Sequence, residues 1–468
     1  MISRRISLGL FAAALALAGC ADLPSSARSN SLEAMPPIVF VHGNGDSAAL
    51  WQTTLWRFES NGWPANRLHA VDMPYPLARD VDAQAQAGRI STAESAQFLK
   101  REVDKVLRET GASQVVLMGN SRGGYAIRNY IENFGGAALV SHAVLGGTPN
   151  HGVWATRGFR EDNEFSGTGP FLAALNAPKN AQGDEVTGPV KWLTTRSDNN
   201  DKFAQPDGLW IGAKGTPTNV SFDGPALKGA TNVVLAGVDH RETSFSPAAF
   251  AAVHAFITGR TQPVKAIAAS TSVVLNGKIV GLGLNPLDPA SGNYVNNLPL
   301  PGAQLSVFET DAATGARKGG PVHVRQVGAD GLWGPFSATS AASYEFVLQA
   351  PGYAATHIYR SPFARSSSVV HLRAERLPEA DRAAGASVTF SRPRGYFDAQ
   401  RDRMMFDGAS TLPGVTGPGA GVATSKLLLK ESGDSAPRSV AAQFNGEKIT
   451  GLAWPTSGNH VVVLELTY

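Results

Sequence analysis

Cysteine is almost missing from this chain: one occurs among 468 residues, at position 20. A single thiol excludes an internal disulfide, so the fold must rest on packing. Charge is also scarce. Charged side chains make up 17% of the residues and the net charge is +3, too little to select nucleic acid or an anionic surface as partner. No phosphate-cradling G-x-x-x-x-G-K-[ST] run occurs, and His and Cys never cluster at ligand spacing, so neither a metal nor another cofactor is expected. The apolar stretch at residues 8–17 is too short to span a bilayer as a permanent helix.

The N-terminus nevertheless carries a pattern. Met1-Ile2-Ser3-Arg4-Arg5 is a short basic head, followed by that apolar stretch and by Leu17-Ala18-Gly19-Cys20. The last four residues resemble the lipobox of bacterial lipoprotein signal peptides. The resemblance implies a signal peptide over 1–20, cleavage before Cys20 and a diacylglyceryl anchor on its sulfur. Ala21 in place of aspartate then implies an outer-membrane lipoprotein. The alternative is an ordinary signal peptide and a secreted or periplasmic protein. Residues 21–35 are small and polar, as expected of a tether.

What the chain has in quantity is apolar residues (43%), glycine (50) and proline (29), enough for two or three domains with many turns. Ile38-Val39-Phe40-Val41 reads as a buried parallel strand. Ser91-x-x-Glu94 reads as a capping box ahead of a helix with Leu99, Val103, Val106 and Leu107 on one face and Gly111 as its stop. Apolar runs at 115–118, 143–145, 192–195 and 233–236 complete an alternation of strands and helices. That alternation predicts an α/β domain with a mostly parallel sheet over 36–260. Beyond Thr261 the segments are short, alternating and separated by Gly, Pro, Asn and Asp, which predicts one or two all-β sandwich-like domains, over 264–376 and 377–468.

Gly119-Asn120-Ser121-Arg122-Gly123-Gly124 sits between a strand and a helix. A G-x-S-x-G in that context is a nucleophile elbow, a turn so sharp that glycine must flank it, with the serine hydroxyl held above the sheet. A serine needs a base within hydrogen-bond reach. His240, in the loop after residues 233–236, is the candidate; His142 and His151 follow the serine too closely, and His254 falls in a helix. The acid belongs at the end of the preceding strand, where Asp201 and Asp198 compete and Asp201 is preferred; Asp207 and Asp239 are distant alternatives. The oxyanion of a tetrahedral intermediate needs backbone N–H donors, for which Asn44 in His42-Gly43-Asn44-Gly45 and Arg122 after the serine are the candidates.

Together these residues make 36–259 resemble the bacterial lipase and esterase branch of the α/β-hydrolases. The His42-Gly43-Asn44-Gly45 loop, the elbow and Gly147-Thr148-Pro149-Asn150-His151-Gly152 carry the resemblance. It departs from the usual lipase elbow in having Asn before the serine and Arg after it. The hydrolase-then-β layout is similar to archaeal lipases with a C-terminal lipid-binding β region, and Leu298 to Ala303, Asp330-Gly331-Leu332-Trp333 and Ala350-Pro351-Gly352-Tyr353 resemble a transthyretin-like sandwich, with a generic sandwich the alternative. The resemblance implies a serine esterase or lipase acting on an ester or lipid substrate. The rivals are a polymer depolymerase with the same triad, and a non-catalytic surface-binding lipoprotein. Residues 152–185 carry Trp154, Phe159, Phe165, Phe171, Leu172 and Leu175, and read either as a lid or acyl-binding wall or as an insertion with its own small core.

Overall fold

Four residues with no polar side chain, Ile38–Val41, start the fold as strand β1, and all four are buried. Such a run has no solvent face, so it belongs inside a sheet covered on both sides. The computed structural model describes residues 35–198, 200–208, 214–281, 283–284, 294–295, 298–430 and 437–468. Cys20 and the expected signal peptide lie outside the described residues.

Strands β1, β2 (Leu68–Val71), β3 (Val115–Asn120), β4 (Val140–Gly146), β5 (Lys191–Ser197) and β6 (Thr231–Leu235) form one sheet in the order β2-β1-β3-β4-β5-β6. Every pairing in it is parallel. Parallel neighbours need crossovers, which the helices supply. These are α1 (Gln52–Ser60), α2 (Thr92–Thr110), α3 (Arg122–Asn133), the short α4 (Pro170–Leu175) and α5 (Glu242–Phe245), and α6 (Pro247–Thr258). Helix α2 opens on the expected capping box: Ser91 Oγ accepts from Glu94 N–H, and the Glu94 carboxylate accepts from Ser91 N–H. Gly111 closes it in the left-handed conformation, and Leu99, Val103 and Val106 face the core.

Beyond α6 the regular elements among the described residues are strands, apart from short 3-10 turns. Strands β7 (Gln304–Thr310), β8 (His323–Gln326), β9 (Ser343–Gln349), β10 (Ala355–Arg360), β11 (Ala386–Ser391), β12 (Thr424–Leu429) and β13 (His460–Glu465) make a seven-stranded sheet in the order β8-β7-β9-β10-β13-β11-β12. Its outer pairs are antiparallel, and β13 lies parallel to both β10 and β11. The boundary expected at residue 377 therefore falls within one hydrogen-bonded sheet. The returning strand β13 stitches the two halves together.

The β region also packs directly on the hydrolase. Trp56 of α1 belongs to the same buried cluster as Leu305, Trp333, Phe346 and Ile358 of the β region. Its indole N–H donates to Ser366 O at 2.8 Å, and Arg365 pairs with Glu59 at 2.6 Å. Helix α1 is consequently buried from Gln52 to Phe58 on all its faces.

Candidate active site

The end of β3 and the start of α3 meet at Ser121, which has φ 52° and ψ −122°. This conformation is rare for any residue with a Cβ and costs on the order of 1–3 kcal/mol. The flanking glycines make the turn possible. A Cβ on Gly123 would lie 2.4 Å from Val41 O, and one on Gly119 would lie 2.8 Å from Gly124 N. Ser121 N–H donates to Gly146 O at 2.7 Å, and Thr148 Oγ1 donates to Ser121 O at 3.0 Å, so β4 and the loop after it hold the turn from the side.

Asn120, the departure from the lipase elbow, has a role of its own. Its Nδ2 donates to Ser244 Oγ at 2.8 Å and to His240 O at 3.3 Å. The other departure, Arg122, is buried. Its guanidinium forks onto Glu164 at 2.6 and 2.8 Å and reaches Ile90 O at 2.8 Å. Burial raises the Glu164 carboxyl above the usual carboxylate range against the opposing pull of Arg122. The elbow is thereby tied to the 152–185 segment.

The His42 loop lies against the serine. A Cβ on Gly43 would sit 3.1 Å from Ser121 Cβ. His42 Nδ1 is 2.8 Å from Gly43 O, and its Nε2 accepts from Met73 N–H at 3.0 Å. Burial lowers the His42 pKa, and that hydrogen-bond pair calls for a neutral ring donating from Nδ1. With Gly43 O held on one side, the planar trans peptide directs Asn44 N–H to the other. The Asn44 side chain is used elsewhere, accepting from Ala78 N–H at 2.8 Å.

His240 Nδ1 lies 2.7 Å from Asp201 Oδ2, and both side chains are buried. Asp201 Oδ1 accepts from Phe203 N–H at 2.8 Å, and the Phe203 ring meets the His240 ring edge-on at 4.7 Å. Asp198 instead accepts from Asn200 N–H at 3.2 Å and Gly237 N–H at 2.9 Å, which shapes the two loops without touching the histidine. Asp239 points away from the His240 ring and bonds backbone and arginine groups described below. His254, in α6, meets Trp63 edge-on and Phe250 at a tilt.

Ser121, Asp201, His240, Gly43 and Asn44 all line one cavity of about 430 Å³. Leu145, Val153, Trp154, Phe165, Phe203 and Leu227 give it an apolar wall. Within 152–185, Trp154 and Phe165 face this cavity. Phe171, Leu172 and Leu175 pack on Tyr125 of α3 in a small core of their own, which Phe165 also joins, its ring 5.6 Å from that of Tyr125. One wall residue had no signal in the sequence: Tyr396, from the β region, also lines the cavity. No group of His, Cys, Asp and Glu among the described residues could hold a metal ion.

A parallel sheet with a strained serine between strand and helix, and a histidine and a carboxylate in later loops, defines an α/β-hydrolase. Family models sharpen this. Class 2 lipase matches residues 35–164, and the lipase C-terminal domain matches residues 271–377. The chain is a lipase-branch α/β-hydrolase with a lipase C-terminal domain, and a carboxylic ester hydrolase. Asp201 and His240 lie beyond the first match.

Solved structures of low identity align with it. The mature form of the Bacillus licheniformis lipase BlEst2 is 20% identical, covering 45% of this chain and 86% of that one at a TM-score of 0.31. The propeptide form is 15% identical, covering 90% and 93% at 0.33. A monoacylglycerol lipase of Paleococcus ferrophilus is 14% identical, covering 48% and 96% at 0.31.

Proposed function

We propose that this hydrolase cleaves carboxylic esters through Ser121, His240 and Asp201 by way of an acyl-enzyme. The observation that carries the reading is the 2.7 Å contact of His240 Nδ1 with Asp201, on the same cavity as a serine at φ 52°. His240 donates Nδ1–H to Asp201, which leaves Nε2 free to act as base. Ser121 Oγ bonds to the ester carbonyl carbon as its proton passes to Nε2. The carbonyl oxygen becomes an oxyanion, received by the Asn44 and Arg122 amides. Collapse of the intermediate breaks the bond to the alcohol oxygen, which leaves with the proton from Nε2. Water repeats the sequence and releases the acid.

No hydrogen bond joins Ser121 Oγ to His240; catalytic hydrogen bonds commonly tighten only in the complex with substrate. The apolar wall of Trp154, Phe165 and Leu227 suits the acyl chain. The Cys20 lipobox supports anchoring of the enzyme at the outer membrane by a diacylglyceryl group, and a Cys20→Ser protein recovered in the membrane fraction would remove that part of the reading.

The test of the reaction is Ser121→Ala. It should lower kcat by about 10⁴-fold or more and abolish labelling by a fluorophosphonate. Retained turnover in the folded variant would refute the assignment.

A further inference from the structure

The turn that carries His240 is held from outside the hydrolase. Asp239 Oδ1 accepts from the Arg241 and Glu242 amides at 2.8 Å each, and Glu242 Oε2 accepts from Asp239 N–H at 2.8 Å. This reciprocal arrangement is that of a capping box, and it fixes the local shape of the turn. Each carboxylate has oxygens left over, and the β region occupies them. Arg392, just past β11, forks across both, with Nη1 on Asp239 at 2.9 Å and Nη2 on Glu242 at 2.5 Å. Arg401 adds Nη1 on Glu242 at 2.5 Å and on Gly237 O at 2.8 Å. Tyr396 N–H, between them in sequence, donates to Asp239 Oδ2 at 2.7 Å while its ring lines the cavity.

The Arg392, Asp239 and Glu242 side chains are 4%, 2% and 12% exposed. A buried ionic network of this kind is a poor source of stability, because desolvation of the charges offsets most of their attraction. Its distinctive product is geometry: two planar forks leave the turn one seat. His240 and Arg241 are the two residues between the carboxylates in sequence, and the His240 ring must face Ser121 on one side and Asp201 on the other. The oxyanion loop is joined to the same seat through Arg241, which pairs with Asp46 at 3.0 Å and donates to Pro393 O at 2.9 Å.

We propose that Arg392 and Arg401 are positioning residues for ester hydrolysis, by which the C-terminal β region seats the His240 turn and completes the active site. This rests on the triad reading above. The experiment uses the full chain with Arg392→Ala, Arg392→Lys and Arg401→Gln. Fluorophosphonate labelling of the unaltered protein, lost in Ser121→Ala, first tests the triad by itself. With that in place, Arg392→Ala should lower kcat on a soluble ester by about 10²-fold with KM nearly unchanged, the scale of loss expected of an ångström-level misplacement. Amide exchange at 237–246 should rise, and Arg392→Lys should restore part of kcat. Arg401→Gln, at a more exposed side chain, should act in the same direction and serves if Arg392→Ala does not fold. A kcat per folded molecule equal to that of the unaltered protein in Arg401→Gln and in whichever Arg392 variants fold would overturn the proposal, whether or not Tm falls. So would a loss confined to KM.

Discussion

Tyr396 N–H donates to Asp239 Oδ2 at 2.7 Å across 157 residues of sequence. That contact joins the loop after β11 to the residue before the candidate catalytic histidine. It brings the β region to the wall of the candidate site, so truncation should not separate the enzyme from the β region. A chain ending near Gly259 should fail to accumulate as folded, active enzyme, because it also exposes Trp56. Soluble expression with a far-UV spectrum, a thermal melt and esterase turnover checks this. A truncated form with unaltered Tm and kcat would contradict it.

Trp56→Ala tests the same interface without truncation. Removal of a fully buried tryptophan costs about 3–5 kcal/mol. The chemical-denaturation midpoint should fall accordingly, with kcat at low temperature little changed.

The two aspartates should separate cleanly. Asp201→Asn should lower kcat by about 10⁴-fold, the scale for a lost triad carboxylate, with a small effect on Tm. Asp198→Asn should act chiefly on Tm, since its partners are the amides of Asn200 and Gly237. The reverse pattern would move the acid to position 198.

The 152–185 segment divides by what its aromatics touch. Phe165→Ala should reduce turnover of long-chain esters more than of acetates, because Phe165 lines the cavity. Leu172→Ala should lower Tm and affect both ester classes alike, since Leu172 packs under Tyr125. An ester series of graded chain length decides between these outcomes.

Acid should destabilise the fold early. Burial holds His42, His254, His357, His371 and His460 below their ordinary pKa of 6.5. Each is neutral in the folded chain at a pH where the unfolded chain has begun to bind a proton. Their contribution is complete above pH 6.5 and is lost as pH falls through the lowered folded values. Glu164 and Asp239, both raised by burial and Asp239 to about 6, work in the opposite sense, but they are two groups against these five. Tm should therefore be level from pH 8 to 7 and drop as the pH is lowered below 6.5. A Tm that rises over that descent would contradict the burial account.

The middle of the parallel sheet was legible because β1 and β3 carry uninterrupted apolar runs, whereas β2, Leu-His-Ala-Val, went unread; the elbow was legible because its glycines answer a steric demand that few other sequences meet. Helix α1 was not. Gln-Thr-Thr-Leu-Trp-Arg-Phe-Glu-Ser has no apolar stripe, since it is covered on two sides, by the hydrolase sheet and by the β region. The single seven-stranded sheet was hidden for a related reason: strand order is set by pairings such as Ala355 with His460, far apart in sequence. Arg392, Tyr396 and Arg401 offered only a locally basic stretch. Nothing in their spacing pairs them with Asp239 and Glu242, although the charged run Asp239-His240-Arg241-Glu242 around the candidate base was the one signal that partners must exist.

Trp56 sits in a helix of one module and in the core of the other. Two modules that share a side chain in this way inherit each other's changes: a substitution that repacks Leu305 or Phe346 reaches α1, and through α1 the strand that leads into His42. Such a chain should melt in one step, and a graft of either module onto a foreign partner would have to bring a replacement for that indole.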